Sequence, residues 1–103
     1  MIEEKLTPAI IEVKKAFAEK LSRFPDKFFF GCVHYAIIEE AMKEIGFEPD
    51  WNDNDTNHSS GDIDYWVVFR NTNKDFCYLL SGSMYGAMSE IEKRPKTYKL
   101  GQL

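Results

Sequence analysis

Two of the most reactive side-chain types lie two positions apart in Gly31-Cys32-Val33-His34-Tyr35. A cysteine near a helix N-terminus has its thiolate stabilised by the helix dipole, and papain-like thiol enzymes pair such a cysteine with a histidine. Helical geometry separates this pair. At 100° per residue, Cys32 and His34 project about 160° apart, so they cannot share a proton. His58 is the other histidine, and the apolar stretch after it, Asp62-Ile63-Asp64-Tyr65-Trp66-Val67, carries none. Cys32 and His34 are therefore read as structural, His34 as a buried residue, with a thiol enzyme using Cys32 as the alternative.

A second chemistry is suggested by Asp53-Asn54-Asp55-Thr56-Asn57-His58-Ser59-Ser60-Gly61-Asp62-Ile63-Asp64. Counted from Asp53, oxygen ligands fall at the first, third, fifth, seventh and twelfth positions, the spacing of an EF-hand calcium loop. The match then departs: His58 stands where the turn needs glycine, Asp64 replaces the long glutamate, and no helix follows. Asp and Asn also serve ordinary solvated loops through local hydrogen bonds. No metal or other cofactor is expected, and a divalent-cation site on Asp53–Asp64 is a further alternative. The basic tail Lys93-Arg94-Pro95-Lys96-Thr97-Tyr98-Lys99 reads as a solvated end rather than a nucleic-acid site, because the chain's own acidic segment opposes a polyanion.

That acidic segment is the most informative feature. The net charge of −4 is unevenly distributed: residues 31–64 carry Lys43 against Glu39, Glu40, Glu44, Glu48, Asp50, Asp53, Asp55, Asp62 and Asp64. Segregation of this kind speaks to partners and association rates rather than to fold. Aromatic residues are interleaved with the carboxylates. Glu48, Asp50, Trp51, Asp53, Asp55, Asp62, Asp64 and Trp66 are expected to form a docking surface, with acids steering a basic partner and the tryptophans as anchors.

The elements that must position these residues follow from periodicity. Thr7-Pro8 starts a helix over about 8–23, in which Ile10, Val13, Phe17, Leu21 and Phe24 recur at three and four until Pro25 stops it. Asp26 is a cap for a second helix with the stripe Phe30, Val33, His34, Ile37, Ile38, Ala41, Met42 and Ile45, closed by Gly46. The three phenylalanines 28–30 are either its start or an extended entry. Residues 48–62, rich in Asp, Asn and Ser, read as a loop. Asp62–Arg70 alternates as a strand, Asn71–Asp75 turns, and Phe76–Leu80 returns to complete a hairpin. Ser83 caps a short third helix with Met84, Ala87, Met88 and Ile91, ended by Pro95. Tyr98 and Leu100 suggest a short edge strand. The expected fold is one α+β domain over 1–103, in the order ααββα.

At 103 residues and 44% hydrophobic content the chain can bury one core, which excludes a disordered tail. No apolar run approaches the ~20 residues needed to cross a bilayer, and Met1-Ile2-Glu3-Glu4-Lys5 does not read as a signal peptide. Cys32 and Cys77 read as reduced thiols, so a cytoplasmic location is expected. The function expected is non-enzymatic: a small acidic inhibitor docking on a basic, nucleic-acid-binding site of another protein such as a nuclease, without contacting nucleic acid or membrane. In size, charge and lack of a catalytic motif the chain is similar to immunity proteins and to phage anti-defence proteins of the anti-CRISPR type, with no residue-level signature shared. A subunit pairing with itself through the hairpin and Tyr98 is a further reading.

Overall fold

A computed structural model describes residues 8–31, 35–59, 62–83 and 88–100. Helix α1 runs from Pro8 to Leu21, two residues short of the sequence expectation. Pro8 suits a first helical turn, where its missing N–H has no intrahelical partner. Phe17 and Leu21 are buried. Phe24 closes the turn with its N–H on the Leu21 carbonyl at 2.8 Å and a φ of 51°, an unusual conformation for an aromatic residue. Its ring packs on Phe76, with the Lys74 ammonium 4.3 Å from its centre.

The three phenylalanines are extended. They lie in β1, Lys27–Gly31, which leads to α2, Tyr35–Glu44. Ile38, Ala41 and Met42 of the expected stripe are buried, whereas Phe30 belongs to β1. Cys32, Val33 and His34 lie outside the described residues. Gly46 ends α2 as expected, at φ 92°. The Phe47 N–H reaches the Met42 carbonyl at 2.9 Å and the Gly46 N–H that of Lys43 at 3.0 Å. These are the two bonds of a Schellman cap, completed by burial of both Met42 and Phe47.

Three expectations are overturned in the second half. The acidic stretch read as a loop is strand β2, Glu48–Ser59, and the segment read as a third helix is strand β5, Met88–Pro95. Between them lie β3, Asp62–Arg70, with the expected bounds, and β4, Phe76–Ser83. The order is therefore α1-β1-α2-β2-β3-β4-β5, not ααββα. β2 has almost no β-forming residues, but from Asn54 to Ser59 it pairs in continuous register with β3, and backbone pairing holds a strand regardless of the side chains it exposes. In β5, Ile91 packs in the core while Glu90 and Glu92 take the opposite face; Met84 and Ala87 lie outside the described residues. Tyr98 and Leu100 are not a strand; they pack across Val68, Cys77 and Leu79.

The strands form one antiparallel sheet in the order β1-β5-β4-β3-β2. Helices segregated from an antiparallel sheet make this an α+β fold. Both helices belong to one face, where Phe17, Leu21, Ile38 and Met42 meet Val67, Phe69, Tyr78, Leu80 and Ile91. The other face holds the smaller cluster of Val68, Cys77 and Leu79, and no helix among the described residues covers it. Tyr98 and Leu100 pack over its Val68, Cys77 and Leu79, so this face is uncovered only in the sense that no described helix lies on it. No helix is long and apolar enough to cross a membrane.

Candidate partner-binding face

Two of the expected site residues are engaged within the protein. Asp50 accepts from Arg70 Nε, and Asp53 from Arg70 Nη2, each at 2.8 Å. The same guanidinium donates to the carbonyls of Lys96, at 3.1 Å, and Tyr98, at 2.8 Å. Asp53 Oδ1 also takes the Leu100 N–H at 2.9 Å. Arg70 thus pins the β2 edge and the C-terminal segment together, and its hydrogen bond to Asp50 holds that carboxyl below the usual aspartate range. A break in register between Pro49 and Asn54 brings both aspartates within reach.

The two tryptophans expected to anchor one surface are on opposite sides of the sheet. Trp51, 58% exposed, leans towards the helices, its ring 6.3 Å from that of Tyr35, which packs on Tyr65 and Phe69. Trp66 packs with Val68, Cys77 and Leu79 on the uncovered face. Register separates them: side chains alternate along a strand, and the irregularity after Pro49 shifts the phase of β2.

Cross-strand register assembles a continuous row on the uncovered face. Asp55 pairs with Trp66, Trp66 with Ser81, Ser81 with Glu90, and Glu90 with Phe29, one residue from each strand. Asp64 and Ser83 form the next row. Phe29, Asp64, Trp66, Ser81, Ser83 and Glu90 line an open groove of about 310 Å³. Gly82 contributes backbone to its floor; a Cβ there would point to the helix-covered face, colliding with the Ser89 hydroxyl and lying 3.1 Å from Tyr65 Oη.

The groove's charge is partly compensated from within. Lys27 Nζ lies 3.6 Å from Glu90 and 3.7 Å from Glu92, and 5.7 Å from the centre of the Phe29 ring. Arg94 pairs with Glu92 at 2.7 Å and sits over Tyr98. Asp64, Asp55 and Glu48 have no ion pair among the described residues. Carboxylates beside half-open aromatic rings suit an ammonium or guanidinium, by ion pairing and by attraction to the ring face.

The other expectations divide similarly. The described parts of Asp53–Asp64 are strand, residues 53–59 in β2 and 62–64 in β3, and extended backbone spaces alternate residues by roughly 6–7 Å. Among the described residues no three His, Cys, Asp or Glu side chains gather as metal ligands; the side chains of His58 and Asp62 are not described. Cys77 is a buried free thiol on the Pro95 carbonyl at 3.3 Å, and burial pushes its pKa up, which disfavours thiolate chemistry. Phe29, Ser81 and Glu90 escaped sequence reasoning. The alternation Lys27-Phe28-Phe29-Phe30 held a signal, since a β reading puts Phe29 opposite its neighbours. A scan against protein-family models matches none, and searches of curated proteins and of solved structures likewise return no match.

Proposed function

We propose that this chain is a non-enzymatic binding protein that docks its uncovered sheet face on a basic, nucleic-acid-binding type site of a partner protein and so inhibits it. The row Asp55–Trp66–Ser81–Glu90–Phe29, with Asp64 beside it, carries this reading. It presents two aromatic rings and three carboxylates on a rigid five-stranded platform, where binding groups lose little freedom on association. Trp66 and Phe29 are the anchors; Asp55, Asp64 and Glu48 steer. Asp50 and Asp53 act indirectly by holding the edge strand, and Trp51 contributes at the rim.

The test is affinity capture with the native chain and with an Asp55→Asn/Asp64→Asn/Glu90→Gln variant, followed by association kinetics on the captured protein. Screening lengths shrink from about 10 Å at 0.1 M salt to about 3 Å at 1 M, so the on-rate is expected to fall steeply with salt. Trp66→Ala is expected to speed dissociation and to weaken binding by ~2 kcal/mol or more. A salt-independent on-rate, or full affinity in the triple variant, rejects the reading.

A further inference from the structure

The two edges of the sheet are built differently. At the β2 edge, Pro49, a register break and Asp50, Asp53 and Asp55 all discourage another strand from adding. The β1 edge, Lys27-Phe28-Phe29-Phe30-Gly31, has no proline, no acid and no bulge. Its one charge, Lys27, is drawn back onto Glu90 and Glu92 of its own sheet. Phe29 at its centre is 54% exposed.

The hydrogen-bonding phase of this edge follows from one bond. The Asp26 carbonyl accepts from the Lys93 N–H at 2.8 Å, and register continues from there as Lys27↔Glu92 and Phe28↔Ile91. Hydrogen-bonded pairs alternate in an antiparallel ladder, so Phe28 and Phe30 bond to β5. Lys27, Phe29 and Gly31 therefore point their N–H and C=O groups outward. No described strand lies on that side.

We propose that a second copy of this chain adds its β1 antiparallel to this edge, about a two-fold axis through Phe29, to give a continuous ten-stranded sheet. The strand is self-complementary in this register. Phe29 meets its counterpart, Lys27 falls opposite Gly31 with no like-charge contact, and Phe28 falls opposite Phe30. The outward groups form three hydrogen-bonded pairs, hence about six backbone bonds. The arrangement closes, because the guarded β2 edges become the two ends. Pairing β1 on β2 of another copy would instead propagate without limit, and the acids and the break in β2 oppose it. The dimer also joins the two grooves into one acidic row roughly 40 Å long, at about 4.8 Å per strand. The dimer does not depend on the identity of any partner.

The interface is a single five-residue pair, so association is expected to be weak and concentration-dependent. Light scattering or sedimentation on the full chain, from low micromolar to near millimolar, should show the mass climbing from 12.0 kDa towards twice that value. Phe29→Lys, at an exposed position that folding tolerates, should remain monomeric with an unchanged circular-dichroism spectrum. In a Cys32→Ser background, Phe29→Cys should form a disulfide-linked dimer on mild oxidation, since Cα atoms of a hydrogen-bonded antiparallel pair stand about 5.5 Å apart, within disulfide range. Asp55→Cys on the guarded edge should not link. A chain monomeric throughout, a dimer that survives Phe29→Lys, or a dimer that Phe29→Cys cannot link overturns the proposal; none of these bears on the partner-binding reading.

Discussion

Replacing Arg70 by Met tests the reasoning about the acidic strand most directly. Arg70 makes four contacts, to the carboxylates of Asp50 and Asp53 and to the carbonyls of Lys96 and Tyr98. The side chains involved are 27%, 24% and 12% exposed for Arg70, Asp50 and Asp53. Methionine keeps much of the apolar stem and removes every donor. Breaking a fully buried ion pair costs about 3–5 kcal/mol, and partial exposure here lets water recover some of that. A loss of about 2–4 kcal/mol is expected, which for a domain of this size lowers the melting temperature by roughly 10–20 °C. Arg70→Lys should recover only part, because an ammonium cannot reproduce the planar fork. The C-terminal segment is also released, so Cys77 beneath Tyr98 and Leu100 should react faster with a thiol reagent in a Cys32→Ser background. The pH dependence has a definite sign. Because Arg70 depresses the Asp50 pKa, its contribution is present above the ordinary carboxylate value of 3.8 and disappears as pH falls through the lower folded value. The native chain should lose this increment in acid while Arg70→Met has none to lose. Melting within a degree of the native protein, with Cys77 equally protected, would show that the clamp contributes nothing and would undo the structural role given to Asp50 and Asp53.

Three further outcomes are expected. Gly46→Ala should destabilise by about 1–2 kcal/mol in urea titration, because alanine must adopt φ 92° and its Cβ meets Asn71 Nδ2 at 2.8 Å; a neutral result would mean the Schellman cap is dispensable. Burial pushes the phenols of Tyr35, Tyr65 and Tyr78 up, that of Tyr78 to about 12, so ultraviolet titration should show a late-ionising group of tyrosines that loses one member in Tyr78→Phe. Since the unfolded phenol ionises at 10.0, stability should fall as pH rises from there towards 12, and a Tyr78→Phe variant should lack that component. Millimolar calcium should leave the melting temperature unchanged, because residues 53–59 and 62–64 are strand; a specific site at 100 times its dissociation constant would add ~2.7 kcal/mol, and a shift lost in Asp53→Asn would reinstate the cation-site reading.

What the sequence determined by itself was local. Pro8 and the three-four spacing of Phe17 and Leu21 place α1, the cluster Ile38, Ala41 and Met42 places α2, and Gly46 closes it, because helices are made by contacts within a few residues. Strand β3 was legible from strict alternation over Asp62–Arg70. The tertiary structure decided the rest. Apart from Pro49 and Trp51, β2 is polar and carries no periodic signal, since an edge strand exists through the backbone of its neighbour rather than through its own side chains. β5 offered a few apolar residues whose spacing suited a helix, and only the vacancy between β1 and β4 makes it a strand. The same cause governs the site. Composition revealed nine acids in residues 31–64, but not that Asp50 and Asp53 close on Arg70, nor that Trp51 and Trp66 lie on opposite faces, nor that Phe29 and Glu90 join Trp66 in one row. Those facts depend on strand register, and register is set between segments dozens of residues apart, where a shift of one position exchanges the two faces of a strand.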